Sequence, residues 1–207
     1  RRHEQELMTK DATIREIHHR VKNNLQTVSA LLRLQSRRSD EDAVKVALAE
    51  AERRVQAIAT VHAALSQNVD ESVDFDEVAR TIVRMAGAIA STDHAVEVIT
   101  TGTFGTISAD QAQALATVLN ELVANSVEHG LADRDGRIEV CAQRDNLSMK
   151  VTVADDGVGF VPGTPMSGLG TQIVHQMVRG ELRGSIEWEP RDGGGTLVTL
   201  LINLDPA

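Results

Sequence analysis

Two adjacent histidines, His18 and His19, stand in the run Glu16-Ile17-His18-His19-Arg20-Val21-Lys22-Asn23-Asn24-Leu25-Gln26. Imidazole titrates near neutrality, so a neutral ring nitrogen is available as a nucleophile at cellular pH. Arg15, Arg20 and Lys22 supply positive charge that would screen an approaching phosphate. On a helix at 100° per residue, His18 falls roughly 65° from the mean apolar direction, in the column of Leu25 and Leu32. His19 falls roughly 165° away, nearly opposite the core. His19 is therefore the expected nucleophile and His18 a packing residue. Glu16 or Asn23, each about one turn from His19, could accept from one ring nitrogen and leave the other free. Taken alone, the stretch reads more readily as a solvated histidine on a charged helix face.

Four patches in the second half have the chemistry of parts of one nucleotide site. Asn120–His129 is helical, with Glu121, Asn125 and Glu128 on a polar stripe and Leu115, Val118, Leu119 and Leu122 facing inward. A carboxylate and a carboxamide one turn apart, Glu121 and Asn125, can hold a hydrated Mg²⁺, which prefers oxygen ligands. Ala154-Asp155-Asp156-Gly157-Val158-Gly159 follows an apolar strand, so Asp155 can accept from an adenine amino group while the glycines admit the base. Gly168 and Gly170 open a helix whose free N–H groups favour phosphate. Gly193-Gly194-Gly195-Thr196 precedes a terminal strand. Each patch has a plain reading as a stripe, turn or hairpin, and the specificity lies in their order. No Gly-Lys-Ser/Thr occurs, so this is not a Walker loop.

The elements that must carry these residues fall into two units, 1–70 and 71–207. Residues 1–161 lack proline and residues 1–70 also lack glycine, which predicts two long helices over 3–37 and 41–67. Ser39-Asp40-Glu41-Asp42 supplies start chemistry for the second. Ile14, Ile17, Val21, Val28 and Leu31 recur at heptad spacing in the first, and Val44, Leu48, Ala51, Val55, Ile58, Val61 and Leu65 do so in the second. A hairpin of two such helices leaves an apolar face bare. A second copy would cover it as a four-helix bundle, so a homodimer is expected. Beyond Val73 the pattern predicts helices near 74–90, 109–130 and 170–181, with strands near 95–101, 136–143, 148–154, 184–189 and 195–203.

Composition narrows the partners. The chain has 207 residues and a net charge of −9, with the acidic excess confined to residues 71–207. Three Phe, one Trp and no Tyr make aromatic platforms for bases scarce. Direct nucleic-acid binding and adhesion to an anionic membrane are therefore not expected. No apolar run reaches the roughly 20 residues needed to span a bilayer. The lone Cys141 fits a reducing, cytoplasmic compartment. The opening at Arg1 suggests a fragment of something longer.

With its histidine box and ordered patches, the chain resembles the two-component sensor histidine kinases, over roughly residues 10–203. It looks closest to the subgroup related to the HWE kinases, and Ile14–Arg38 resembles the PdtaS-type cytosolic kinases of actinobacteria. The resemblance implies a dimerisation and phosphotransfer hairpin followed by an α/β two-layer sandwich of the GHKL (Bergerat) ATP-binding type. It further implies autophosphorylation of His19 from Mg·ATP and transfer to an aspartate of a response regulator, one with an RNA-binding antiterminator output by analogy with the PdtaS type. By position, Asn125 and Glu121 match the family's metal-binding box, His129 its HWE-type histidine and Asp155 its adenine-reading aspartate. Gly157, Gly159, Gly168 and Gly170 match the nucleotide loops, and Gly195 with Thr196 the last box. The chain departs from the HWE pattern in lacking Trp-x-Glu between Gly159 and Gly168, and its lid, Phe160–Ser167, is short. Two other readings stay open: a GHKL-type ATPase or serine kinase that uses the hairpin only as a clamp, and a degenerate nucleotide-binding scaffold.

Overall fold

The computed structural model describes residues 2–68, 70–90, 94–163 and 167–206. It divides into two compact units, Arg1–Val73 and Asp74–Ala207.

The first unit is an antiparallel hairpin of α1 (Arg2–Arg38) and α2 (Asp42–Leu65). Without glycine or proline, nothing interrupts either helix until the turn at Ser39, whose hydroxyl accepts from Glu41 N–H at 3.2 Å. Ala57, Ala59, Val61 and Leu65 of α2 are buried. From α1 they meet the column that His18 shares with Val21, Leu25 and Leu32, all half-buried. One polar layer interrupts this seam. Ser29 is 1% exposed, accepts from Gln56 Nε2 at 2.7 Å and donates to Glu52 at 3.3 Å, while Arg33 clamps Glu52 from outside. The other half of the heptad pattern stays bare, with Ile17 at 53%, Val28 at 42% and Leu31 at 55% exposure.

The second unit is a five-stranded sheet with helices on one face. Its elements are α3 (Phe75–Ala90), β2 (Val96–Gly102), α4 (Ala109–Asn125), β4 (Gly136–Asp145), β5 (Ser148–Asp155), α5 (Leu169–Arg179), β6 (Ser185–Pro190) and β7 (Thr196–Asn203). Two short strands that periodicity does not predict, β1 (Ser72–Asp74) and β3 (Thr106–Ser108), precede α3 and α4. The sheet order is β2-β4-β5-β7-β6, with β2 and β4 parallel and the other pairs antiparallel. Alternation puts Ile138, Val140, Val151, Val153, Val198 and Leu200 into one buried layer against the helices.

The start of α4 is anchored by Gln111, which is fully buried. Its Nε2 donates to Glu181 O at 3.0 Å and Asn203 O at 2.9 Å, and its Oε1 accepts from Asp205 N at 2.8 Å. At the other end, the helix expected over 109–130 does not stay α-helical. Ser126–Gly130 forms one π-helical turn, closed by Leu131 N–H donating to Ser126 O at 2.9 Å. Such widened turns re-aim the side chains that follow them and recur at functional sites.

Candidate nucleotide site and reactive histidine

The end of α4, the end of β5, the start of α5, edge strand β6 and its neighbour β7 enclose a cavity of about 240 Å³. Asn125, Ser126, His129, Asp155, Gly159 and Thr196 form its polar side. Leu122, Phe160, Thr171, Trp188 and Val198 contribute the less polar side. Five expected residues, Asn125, His129, Asp155, Gly159 and Thr196, thus come together from segments up to 71 positions apart.

Asp155 ends β5 with its side chain 3% exposed. Its Oδ1 accepts from Gly157 N–H at 3.0 Å and Thr196 N–H at 3.2 Å, and the Ser126 hydroxyl also donates to the carboxylate. Burial pushes the carboxyl above its ordinary range, and these three donors only partly oppose it. Glycines let the chain close so tightly around this group. A Cβ on Gly195, whose φ is +96°, would lie 2.0 Å from Asp155 O, and one on Gly157 would lie 2.1 Å from Gly130 O. Arg191 Nη1 donates to Asp155 O at 3.4 Å, and its Nη2 lies 3.5 Å from Glu139.

Gly168 caps α5 at φ +117°, and Gly170 lies in its first turn. The residues beside them, Ser167 and Thr171, line the cavity. Within the lid, residues 164–166 lie outside the described residues.

Two expectations need correction. Glu121 is 2% exposed and is not among the residues that line the cavity, so the expected polar stripe with Asn125 and Glu128 does not present it there. Residues four apart on an α-helix differ by 40° in direction, and the π-turn after Asn125 shifts the next residues further. Glu16 does not orient His19: it accepts from Arg20 Nε at 2.8 Å, and that guanidinium holds its carboxyl below the ordinary range.

The two histidines separate as the helical wheel predicts. His19 is exposed, while His18 is half-buried with its Nδ1 3.0 Å from His62 Nδ1 of α2. Asn23 places its side-chain Nδ2 3.4 Å from His19 Nδ1. With the amide turned so that Oδ1 faces the ring, Nδ1–H donates to it and Nε2 keeps its lone pair.

Sequence reasoning missed Ser126, Gly130, Phe160, Thr171, Trp188 and Val198. Ser126 lies within a recognised patch, Gly130 and Thr171 adjoin recognised ones, and Phe160 opens the lid, so these four were legible by position. Trp188 and Val198 gain their place only from sheet order.

A sheet covered by helices on one face, with a buried carboxylate fed by backbone amides beside a cavity, defines a nucleotide-binding module of the Bergerat class. Residues 110–206 match the histidine kinase-, DNA gyrase B- and HSP90-like ATPase family. Residues 16–89 match the histidine kinase family of the HisKA_2 type. The chain thus carries, in order, a histidine kinase domain of the HisKA_2 type and an ATPase domain of the histidine kinase type. It is 44% identical over 98% of its length to the sensor histidine kinase PdtaS of Mycolicibacterium smegmatis, covering 42% of that protein. The same identity relates it to PdtaS of Mycobacterium tuberculosis, of which it covers 41%. The chain thus spans less than half the length of these curated relatives. Among solved structures, the histidine kinase domain of a blue-light-activated histidine kinase from Erythrobacter litoralis has the same fold. That likeness has a TM-score of 0.67 at 24% identity, covering 97% of this chain and 94% of the other. Among the described residues, no helix is long and apolar enough to cross a membrane.

Proposed function

We propose that this chain is a kinase core that phosphorylates His19 from ATP and passes the phosphoryl group to an aspartate of a response regulator. The observation that carries this reading is the buried Asp155 carboxylate beside a base-sized cavity, on the same chain as an exposed histidine whose ring is held at Nδ1. At about 240 Å³ the cavity lies near the small end of ligand pockets, which start at about 300 Å³. It suits a nucleobase, with the phosphates leaving past Asn125 toward the glycine-capped start of α5.

Asp155 accepts from the base's amino group, and Ser126 fixes the carboxylate. Among the described residues no cluster of three or more His, Cys, Asp or Glu could hold a metal. That fits Mg²⁺ carried in with the nucleotide, which takes few protein ligands and keeps its waters and phosphate oxygens. Asn125 is the protein oxygen placed to meet it, with Glu121 buried one turn before on α4. The bound ion would neutralise phosphate charge.

Asn23 orients His19 so that Nε2 attacks the γ-phosphorus. An N–P bond forms as the bond to the β–γ bridging oxygen breaks, and ADP leaves with that electron pair. Catalysis is then mainly positioning and charge neutralisation. The family resemblance supports a homodimer, a cytoplasmic setting and a regulator with an RNA-binding antiterminator output.

Incubation with γ-labelled ATP and Mg²⁺ tests the reading. Acid-labile, base-stable label is expected in the wild type and in His18→Gln, and its loss is expected in His19→Gln and Asn125→Ala. Label that persists in His19→Gln would sink the assignment. ATP hydrolysis without any labile phosphohistidine would favour a plain ATPase.

A further inference from the structure

We propose that Trp188 is the wall against which the nucleobase lies, and that His175 is the positioning residue that holds the indole there. This inference rests on the nucleotide reading of the cavity and deepens it. Trp188 is the only tryptophan in the chain, and no family box assigns it a role. It sits on edge strand β6, directly across from Val198 of β7, and both residues line the cavity that Asp155 closes. A base that reaches the Asp155 carboxylate in a space of about 240 Å³ must therefore lie against the indole.

The chemistry suits a purine. Asp155, Ser126 and Thr196 offer an in-plane polar edge, whereas Leu122, Val198, Phe160 and Trp188 offer apolar surface for a π-face. His175 supports the arrangement from outside the cavity lining. Its ring centroid lies 5.3 Å from that of Trp188, with the planes tilted by 54°. His175 also stands one turn after Thr171, the buried α5 residue that lines the same cavity. The base wall and the start of α5 are thus tied through one ring contact, on an edge strand that has no neighbour beyond it among the described residues.

With one Trp and no Tyr, emission excited at the indole band reports on this residue alone. The experiment titrates the 207-residue chain with ADP while following emission, and measures binding in parallel by calorimetry. Binding accompanied by a saturable change in emission is expected. Trp188→Ala is expected to weaken ADP about ten- to hundred-fold, as lost base stacking does, and to leave competition by Mg-tripolyphosphate, which has no base, unchanged. Trp188→Phe should restore most of the affinity. His175→Ala should shift the wild-type emission before nucleotide is added and weaken ADP less than Trp188→Ala does. Calorimetric binding with flat emission overturns the proposal, as does Trp188→Ala binding ADP like the wild type. If Trp188→Ala fails to fold, the wild-type emission and Trp188→Phe decide. No binding of ADP by either method removes the nucleotide reading itself, and this inference with it.

Discussion

Asp155 is held where ionisation is costly, and that cost is the signature of its role. Its carboxyl is pushed up by burial, so its contribution favours the fold below the unfolded value and is lost as pH rises through the raised folded value. Above that raised value the ionised group costs stability. Asp155→Asn keeps an oxygen for Gly157 and Thr196 N–H and removes the charge. It is expected to raise the thermal midpoint at pH 7 while abolishing ADP binding in calorimetry, and a lowered midpoint would contradict the burial argument. His62 titrates in the opposite sense. Burial first, and the His18 charge second, lower it from 6.5, so folding loses stability as pH falls below that value toward the lowered one. Helical signal followed from pH 8 to 5 should show the midpoint dropping below about pH 6.5, with a shallower drop in His62→Gln. At this scale the sequence was informative wherever type and spacing decide. The wheel separates His18 from His19, and a strand-end aspartate before glycines identifies Asp155. It was uninformative for Glu16, because Arg20, four residues on, competes for the carboxylate that a histidine would share.

Helices and strands are where local pattern works best, and their junctions are where it fails. Five long strands and five helices follow from alternation and heptads to within a few residues. The π-turn at Ser126–Gly130 does not, because nothing in Ser-Val-Glu-His-Gly breaks the apolar periodicity that suggests a continuous helix. Its cause is tertiary: Gly130 packs against Asp155 and accepts from Val158 N–H at 3.0 Å, so the last turn must widen to bring its backbone there. The loop from Arg191 to Gly195 obeys the same constraint. Arg191 N–H donates to Gly195 O at 2.9 Å, and Gly193, Gly194 and Gly195 all take positive φ, which presents Thr196 N–H to Asp155. Gly195→Ala combines strain with a clash on Asp155 O and should cost about 1–3 kcal/mol in denaturant unfolding, together with most nucleotide affinity. Gly163, with open space around it, is the control position, although its φ of +85° predicts a smaller cost of its own.

At the scale of the whole molecule, the hairpin cannot satisfy its own surface. Ile17, Val28 and Leu31 repeat along α1 yet stay exposed, while Ser29, one step round the helix, is buried against α2. A second copy is the partner that heptad spacing suits. Leu31→Glu with Ile17→Glu should convert a dimer into monomers in sedimentation equilibrium and leave the α/β unit's thermal transition in place. Unchanged mass in that double variant would move the dimer contact elsewhere. The sequence alone determined the two hairpin helices, the alternating strands and which histidine faces solvent. These depend on periodicity, and periodicity is a property of neighbours along the chain. Only the tertiary structure decided that Trp188, Val198 and Thr171 share a cavity with Asp155, that Glu121 is buried and that His18 meets His62. Such contacts depend on the order of strands in the sheet and on how helices pack against their neighbours, which no short window of residues encodes.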